Sequence, residues 1–382
     1  MNRSSLGLRV PKGMRDLLPE EMAIQDELEA KVLSQFKLWA YQKVATPAFE
    51  YGACIQPDEE KEDDFYKFFD RQGHVLVLRP ELTTPIARMV SSRLKGSELP
   101  LRLCYSADVF RLGMVRYQEF RQAGVELIGS NDPLADAEVI ALAIESLRKI
   151  GIQDFQVNLG HMGIFSGIMD ELEIDSQFRL KFQELLAHKD LVGIERMVEQ
   201  SRFTDSVKKI LSRIPHLHGK TEMLEEVLGW SQSPQLCEAV SSLRKVYEYL
   251  EDFNVQEYVA LDLGILRGFS YYTGVIFEGY VREIGYPIVE GGRYDALYEE
   301  FGYPLPATGF AINLGALAER LNSSAKPCPE IFVYGENVSC VIQEVQKLRA
   351  QGVHAEMSLG SLSSTEAESL AQLKGIKEVK RV

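Results

Sequence analysis

Apolar positions along this chain alternate between two periods, and each change of period marks an element. Over residues 21–42, Leu28, Val32, Phe36 and Trp39 return at helical spacing on one face, which predicts a helix packed against a sheet. Residues 43–51, KVATPAFEY, read as a strand whose Pro47 suits an edge or an interface, because proline donates nothing to a central ladder. Residues 74–90 begin as a buried strand and turn into a helix after Pro80. Glu81, Thr83 and Thr84 fall at that turn, where free backbone N–H groups need acceptors. Residues 103–110 and 120–128 predict an antiparallel hairpin. On its second arm Phe120, Gln122, Gly124, Glu126 and Ile128 share a face, so Gln122 and Glu126 point the same way, about 13 Å apart. Arg111 ends the first arm beside that face. The pattern admits two readings, the wet face of an edge hairpin or a polar site. Gly124 favours the site, because a strand glycine often marks a close approach.

Farther on, Asp132 as N-cap, Pro133 at the first helical position and Gly151 past the end bracket a helix running to Ile150. From about 161 to 250 the chain reads as a helical insertion, with stripes at Phe178, Phe182, Leu185 and Leu186 and at Leu243, Val246, Tyr247 and Leu250. Residues 258–280 read as a second hairpin bending at 267–270. Arg267, Tyr271 and Tyr272 gather at that bend, where buried phenols require polar partners. Gly291 and Gly292 precede Arg293 and permit close backbone approach. Residues 305–321 predict a strand running into a helix, and 322–329 have linker composition. The remainder reads as a small βαβαβ module. The expected division is therefore 1–322, with the insertion inside it, and 327–382.

Composition narrows the classes. A chain of 382 residues, 45% apolar and 26% charged, suits a globular protein of two or three domains. It has no run of about 18 apolar residues and no signal-peptide core, so the expectation is a cytoplasmic protein without membrane contact. Five scattered cysteines without CxxC spacing, and His216 and His218 without partner ligands, predict neither disulfides nor a metal site. The net charge of −14 disfavours a nucleic-acid footprint. The C-terminal module adds none, with 6 Lys and Arg against 7 Glu from Pro327 onward, a net of −1. The acidic run at 57–64 reads as a solvated loop.

Taken in order, six segments resemble the histidyl-tRNA synthetase family of class II aminoacyl-tRNA synthetases. PKGMRDLLPEE (11–21) is similar to its N-terminal signature, ATPAFE (45–50) to motif 1, and LRPELT (78–83) to its RPEGT element. The 103–129 hairpin resembles motif 2, RGFSYYTGVIFE (267–278) the histidine-recognition segment, and GGRYDAL with PATGFAINL the second histidine motif and motif 3. The resemblance implies an α+β fold with an antiparallel sheet flanked by helices, a helical insertion, a small α/β C-terminal module and a dimer. It also implies a histidine pocket. Glu81, Thr83 and Gln122 match positions holding the amino group, Glu126 and Tyr272 those reaching the imidazole, and Arg267 and Tyr271 the adjoining wall, and Arg111 joins them as a candidate histidine-binding residue. The chemistry is apt, since carboxylate and amide oxygens accept from an ammonium, and a carboxylate with a phenol can bond both ring nitrogens.

The adenylation parts depart from the pattern. Gly113 stands where the family has an acidic residue, Gln118 replaces an arginine, the motif 2 loop is shorter, and the RGLDYY aspartate is Ser270. Ala316 occupies the position of the phosphate-binding arginine of motif 3. Arg320 lies four residues on, and four helical residues shift a side chain by about 6 Å. An intact amino-acid pocket with lost ATP contacts is similar to the synthetase paralogues that regulate ATP phosphoribosyltransferase. That likeness implies no catalytic residues, no cofactor and L-histidine as effector. It further implies a partner, the short-form catalytic subunit, in a hetero-oligomer containing a dimer of this chain. A divergent active histidyl-tRNA synthetase is the alternative, and a synthetase-like protein adenylating another substrate is a third reading.

Overall fold

The computed structural model describes residues 7–55, 65–112, 117–231, 233–265, 271–282, 284–321 and 328–382. They divide into two units, Met1–Asp16 with Glu27–Leu317, and Leu17–Asp26 with Ala318–Val382. In chain order the strands of the first unit are β1 (Gln42–Lys43), β2 (Phe49–Tyr51), β3 (Lys67–Phe69), β4 (Val75–Leu78), β5 (Leu101–Phe110), β6 (Glu119–Ile128), β7 (Phe155–His161), β8 (His218–Gly219), β9 (Val259–Asp262), β10 (Val275–Val281), β11 (Val289–Arg293) and β12 (Ala307–Asn313). Nine of them form one sheet in the order β1, β5, β6, β12, β11, β10, β7, β9, β8. Every neighbouring pair is antiparallel except β1 with β5 and β7 with β9.

The hairpin of β5 and β6 is the best-defined local consequence of the sequence. Its register runs from Leu101 opposite Ile128 to Phe110 opposite Glu119. Leu103, Tyr105, Val109 and Ile128 bury against Leu82, Ile86, Ala87 and Val90 on and beside the helix Thr83–Arg93. The helix Pro133–Lys149 packs against β6 and β12, with the Asp132 carboxylate accepting from Leu134 N–H at 2.8 Å and Pro133 opening the first turn.

Two sequence expectations are corrected. Residues 43–51 do not form one strand, because Gln42–Lys43 pairs with β5 and Phe49–Tyr51 pairs with β4 in a separate three-stranded sheet. Pro47 lies in the break, and the Thr46 and Pro47 carbonyls accept instead from the Arg79 guanidinium at 2.8 and 3.1 Å. Nor is 258–280 a hairpin. β7, with Phe155, Val157 and Leu159 buried, separates β9 from β10 and pairs with both. Alternation within a segment fixes which face is buried, and it leaves the identity of the neighbouring strand open.

The insertion is carried by Met162–Glu171, Ser176–Ala187, Leu191–Gln200, Asp205–Arg213, Glu222–Leu228 and Pro234–Asp252. Phe182 stacks between Phe165 and Phe178 at centroid distances of 6.3 and 6.1 Å. No helix among the described residues is long and apolar enough to cross a membrane.

In the second unit β13 (Ile331–Tyr334), β14 (Ala355–Met357) and β15 (Glu378–Arg381) form a parallel sheet with β13 central. Alternation along β13 sends Ile331 and Val333 to the helix Val338–Ala350, and Phe332 and Tyr334 to Ser364–Lys374. A capping box of Ser363 and Glu366 opens that last helix, and Gly375, at φ 75°, closes it. Residues 57–64 and 322–327 lie outside the described residues, so the readings of an acidic loop and of most of a linker fall there.

Candidate functional site

Small residues on the central strands let neighbouring groups approach closely over one face of the large sheet. In register across it stand Tyr105, Gly124, Ala311 and Glu290. A Cβ on Gly124 would sit 2.2 Å from the Phe310 carbonyl oxygen and 2.4 Å from the Tyr105 hydroxyl. The close approach expected there is thus made by the neighbouring strand and by Tyr105. A Cβ on Gly309 would fall 1.9 Å from Glu126 Oε2 and 2.5 Å from the Val125 carbonyl oxygen.

Beside these residues lies a narrow cavity of about 20 Å3, lined by Glu81, Leu82, Thr83, Tyr105, Arg111, Gln122, Tyr271, Tyr272, Glu290, Tyr294, Gly309, Phe310 and Ala311. Its volume accommodates about one water, so an amino acid enters only if the walls move outward.

Six of the eight residues singled out by sequence line the cavity: Glu81, Thr83, Arg111, Gln122, Tyr271 and Tyr272. Glu126 stands directly behind the lining. Its Oε1 accepts from Thr83 Oγ1 at 2.9 Å and its Oε2 from the Tyr294 hydroxyl. Arg267 lies outside the described residues, as do Gly113 and Ser270. Glu81 also does what a residue before a helix ordinarily does, since both its oxygens accept from Thr84 N–H at 3.1 Å. The wet-face reading of the hairpin fails, because β6 is interior to the sheet and Gln122 and Glu126 are 3% and 1% exposed.

Burial governs the electrostatics of the floor. Desolvation pushes the Glu126 carboxyl up to about 8, against the opposing effect of its bonds from Tyr294 and Thr83. At neutral pH this side chain is mostly the neutral acid. Desolvation raises Glu81 as well, and the Tyr271 and Tyr272 hydroxyls remain protonated throughout the physiological range. Tyr271 packs on Tyr272 and Tyr294 at centroid distances of 4.8 and 5.7 Å.

Arg111 stands at the mouth. Its Nε donates to the Pro80 carbonyl at 2.8 Å and its Nη1 lies 3.9 Å from Glu290 Oε2. Ala316, in the short helix Leu314–Ala318, is buried and its N–H donates to Asn313 Oδ1 at 3.0 Å. Arg320 comes after the end of that helix. The Gln118 backbone N–H donates to the Gly13 carbonyl at 2.7 Å, and its side-chain oxygen accepts from the Tyr66 hydroxyl.

Of the seven lining residues not singled out from sequence, three carry polar side chains. Tyr294 lies inside the GGRYDAL segment and was overshadowed by its glycines. Tyr105 faces Gly124 across the hairpin, a signal readable only once the register is known. Glu290 occupies an alternating position of β11, and its relation to Arg111 arises from strand order alone. A supporting element was missed too. Arg293 is 7% exposed and donates to Asp136 Oδ2 from Nε and Nη2 at 3.0 and 2.9 Å, and to the Ser130 carbonyl at 2.9 Å. It fixes the end of β11 next to Tyr294.

A family model for histidyl-tRNA synthetase matches residues 13–317. An ATP phosphoribosyltransferase regulatory subunit of Desulfitobacterium hafniense is 63% identical over 379 residues, covering 99% of each chain. One from Moorella thermoacetica is 40% identical over 380 residues, covering 98% of each. Among solved structures, an ATP phosphoribosyltransferase regulatory subunit/histidyl-tRNA synthetase from Bacillus halodurans matches at TM-score 0.88 and 33% identity, covering 98% of both chains. A histidyl-tRNA synthetase from a Nostoc species matches in fold at TM-score 0.85 and 20% identity, covering 97% of this chain and 90% of that one.

Proposed function

We propose, from the premise that this chain belongs to the histidyl-tRNA synthetase family and within it to the ATP phosphoribosyltransferase regulatory subunits, that its cavity binds L-histidine without activating it. The chain is a regulatory subunit in the first step of histidine biosynthesis. Its partner is a short-form catalytic subunit, which it joins as a dimer within a hetero-oligomer, and aminoacylation is lost.

The observation that carries this reading is the contrast between the cavity floor and Ala316. The floor keeps acceptors for an ammonium in Glu81 and Gln122 and polar groups for an imidazole in Tyr272 and Glu126. Activation of an amino acid by ATP needs fixed cations where charge develops on the transferring phosphorus. Ala316 offers a methyl group at the arginine position of motif 3. The size of the cavity supplies a route to regulation. A ligand that enters only an opened form shifts the population toward that form, and a catalytic partner that distinguishes the two forms then responds to histidine.

The test is to mix the chain with a short-form ATP phosphoribosyltransferase catalytic subunit, run the mixture on a sizing column, and assay it across a histidine titration. One co-eluting complex with raised activity that histidine lowers is expected. Two separate species with unchanged activity would sink the reading.

A further inference from the structure

Gln118 stands opposite Arg111 just beyond the last ladder pair of the hairpin, Phe110 with Glu119, and its carbonyl accepts from the Arg111 N–H at 2.8 Å. The residue has two further ties. Its own N–H donates to the Gly13 carbonyl at 2.7 Å, and its side-chain Oε1 accepts from the Tyr66 hydroxyl. Gly13, at φ 80°, suits this approach, since a Cβ there would lie 2.5 Å from Gln118 Cδ. From Tyr66 the bonds return to the mouth. The Leu78 N–H donates to the Tyr66 carbonyl at 3.0 Å, and two residues later the Pro80 carbonyl accepts from Arg111 Nε at 2.8 Å. Tyr66, Leu78, Pro80, Arg111 and Gln118 thus close a ring of bonds beside the cavity, and the link between Gln118 and Tyr66 is its one bond between two side chains.

We propose that the bond from Tyr66 to Gln118 is the clasp of the cavity mouth, holding the walls formed by Arg111 and Glu81 in the closed form. The inference rests on the reading of the cavity as an amino-acid site and adds which walls part to admit the ligand. Gln122, Glu290 and Gly309 sit in interior strands of the large sheet, where parting the walls would break ladders. Arg111 follows the last residue of β5, and Glu81 lies between β4 and the helix Thr83–Arg93. These two walls can separate without unpairing a strand, and the ring of bonds through Pro80 and Gln118 is what joins them. Breaking its side-chain link shifts the population toward the open form. An arginine, the residue that the family resemblance places at position 118, carries donors only and cannot accept from the Tyr66 hydroxyl. Glutamine supplies the acceptor, so the exchange installs the clasp.

The test uses the full-length protein with Tyr66→Phe, which removes the donor, Gln118→Ala, which removes the acceptor, and the two combined. Tyr334→Phe, which loses the bond from its hydroxyl to Ser364 Oγ in the second unit, is the control. Hydrogen exchange at the Arg111 amide reads the opening, calorimetry with L-histidine reads binding, and circular dichroism checks the folding. Each single variant should speed exchange at Arg111 about two- to tenfold and tighten the apparent L-histidine affinity by a similar factor, because a ligand of the open form gains as that form is populated. The double variant should match the singles, since both substitutions delete one bond, and the control should change neither readout. Folded single variants with parental exchange at Arg111 overturn the proposal, and so does faster exchange in a histidine-binding variant whose affinity is unchanged or weaker. If exchange quickens as expected while neither parent nor variants bind L-histidine, the clasp stands and the histidine reading fails.

Discussion

The cavity floor and the cavity mouth lie on the same sheet, yet they handle polarity in opposite ways. At the floor Gln122, Glu126 and Glu81 are all less than 7% exposed, and the chain itself satisfies Glu126 and Glu81 through Tyr294, Thr83 and Thr84. At the mouth Arg111 and Glu290 are partly exposed and pair at 3.9 Å. The floor is therefore preorganised, and its polar groups are costly to disturb because any broken partnership leaves a buried group unpaired. The mouth is a screened ion pair whose removal costs little stability. What the difference teaches is that one cavity can combine a preorganised, buried floor with a screened, partly exposed mouth. The buried half holds its own carboxyl groups in hydrogen bonds, and the exposed half sets Arg111 near Glu290.

Substitutions break this contrast in a definite order. Arg293→Ala should cost most, about 3–5 kcal/mol, because Asp136 is left as a buried charge without its partner. Urea unfolding measures it, and a loss below 1 kcal/mol would show that the Arg293 anchor is dispensable. Gly309→Ala comes next, at about 1–3 kcal/mol, since the added methyl group meets the Val125 carbonyl and the Glu126 carboxyl. Thermal unfolding should reveal that loss together with a weaker histidine response; a stable variant with normal response would mean that the strands can part locally.

Glu126 gives a pH signature. Its folded value of about 8 lies above the ordinary 4.5, so between those values the native state holds a proton that the unfolded chain releases. Stability must then fall as pH rises through that window, because the native state binds more protons. Glu126→Gln should flatten the slope between pH 5 and 8 and weaken histidine-dependent effects while the protein stays folded. Parallel pH profiles for parent and variant would remove Glu126 from this role. The smallest effect belongs to the mouth, where Arg111→Ala should change stability by about 0–1 kcal/mol. A loss as large as that of Arg293→Ala would erase the distinction between the two regions.

Much of the floor was legible in the sequence because it depends on local periodicity. Gln122 and Glu126 share a face through strand alternation, and Glu81 and Thr83 stand together because Pro80 ends a strand just before a helix begins. The helix at Pro133–Lys149 was equally plain, since Asp132, Pro133 and Gly151 each signal an end by a separate mechanism. The mouth was not legible in the same way. Glu290 reaches Arg111 only because β11 and β12 follow β6 in the sheet, and no local pattern encodes strand order. The same physics explains the mistaken second hairpin, in which β9 and β10 each had the right character and β7 took the place between them. Tyr294 was hidden differently, as an ordinary core aromatic whose hydroxyl becomes meaningful only when Glu126 is found in front of it.

The central claim, that the site binds histidine without activating it, is tested most directly by L-histidine-dependent ATP–pyrophosphate exchange with the pure protein. The account predicts no exchange above the histidine-free background at saturating L-histidine and ATP. Sustained, histidine-dependent exchange over many turnovers would contradict it and identify the chain as a working synthetase.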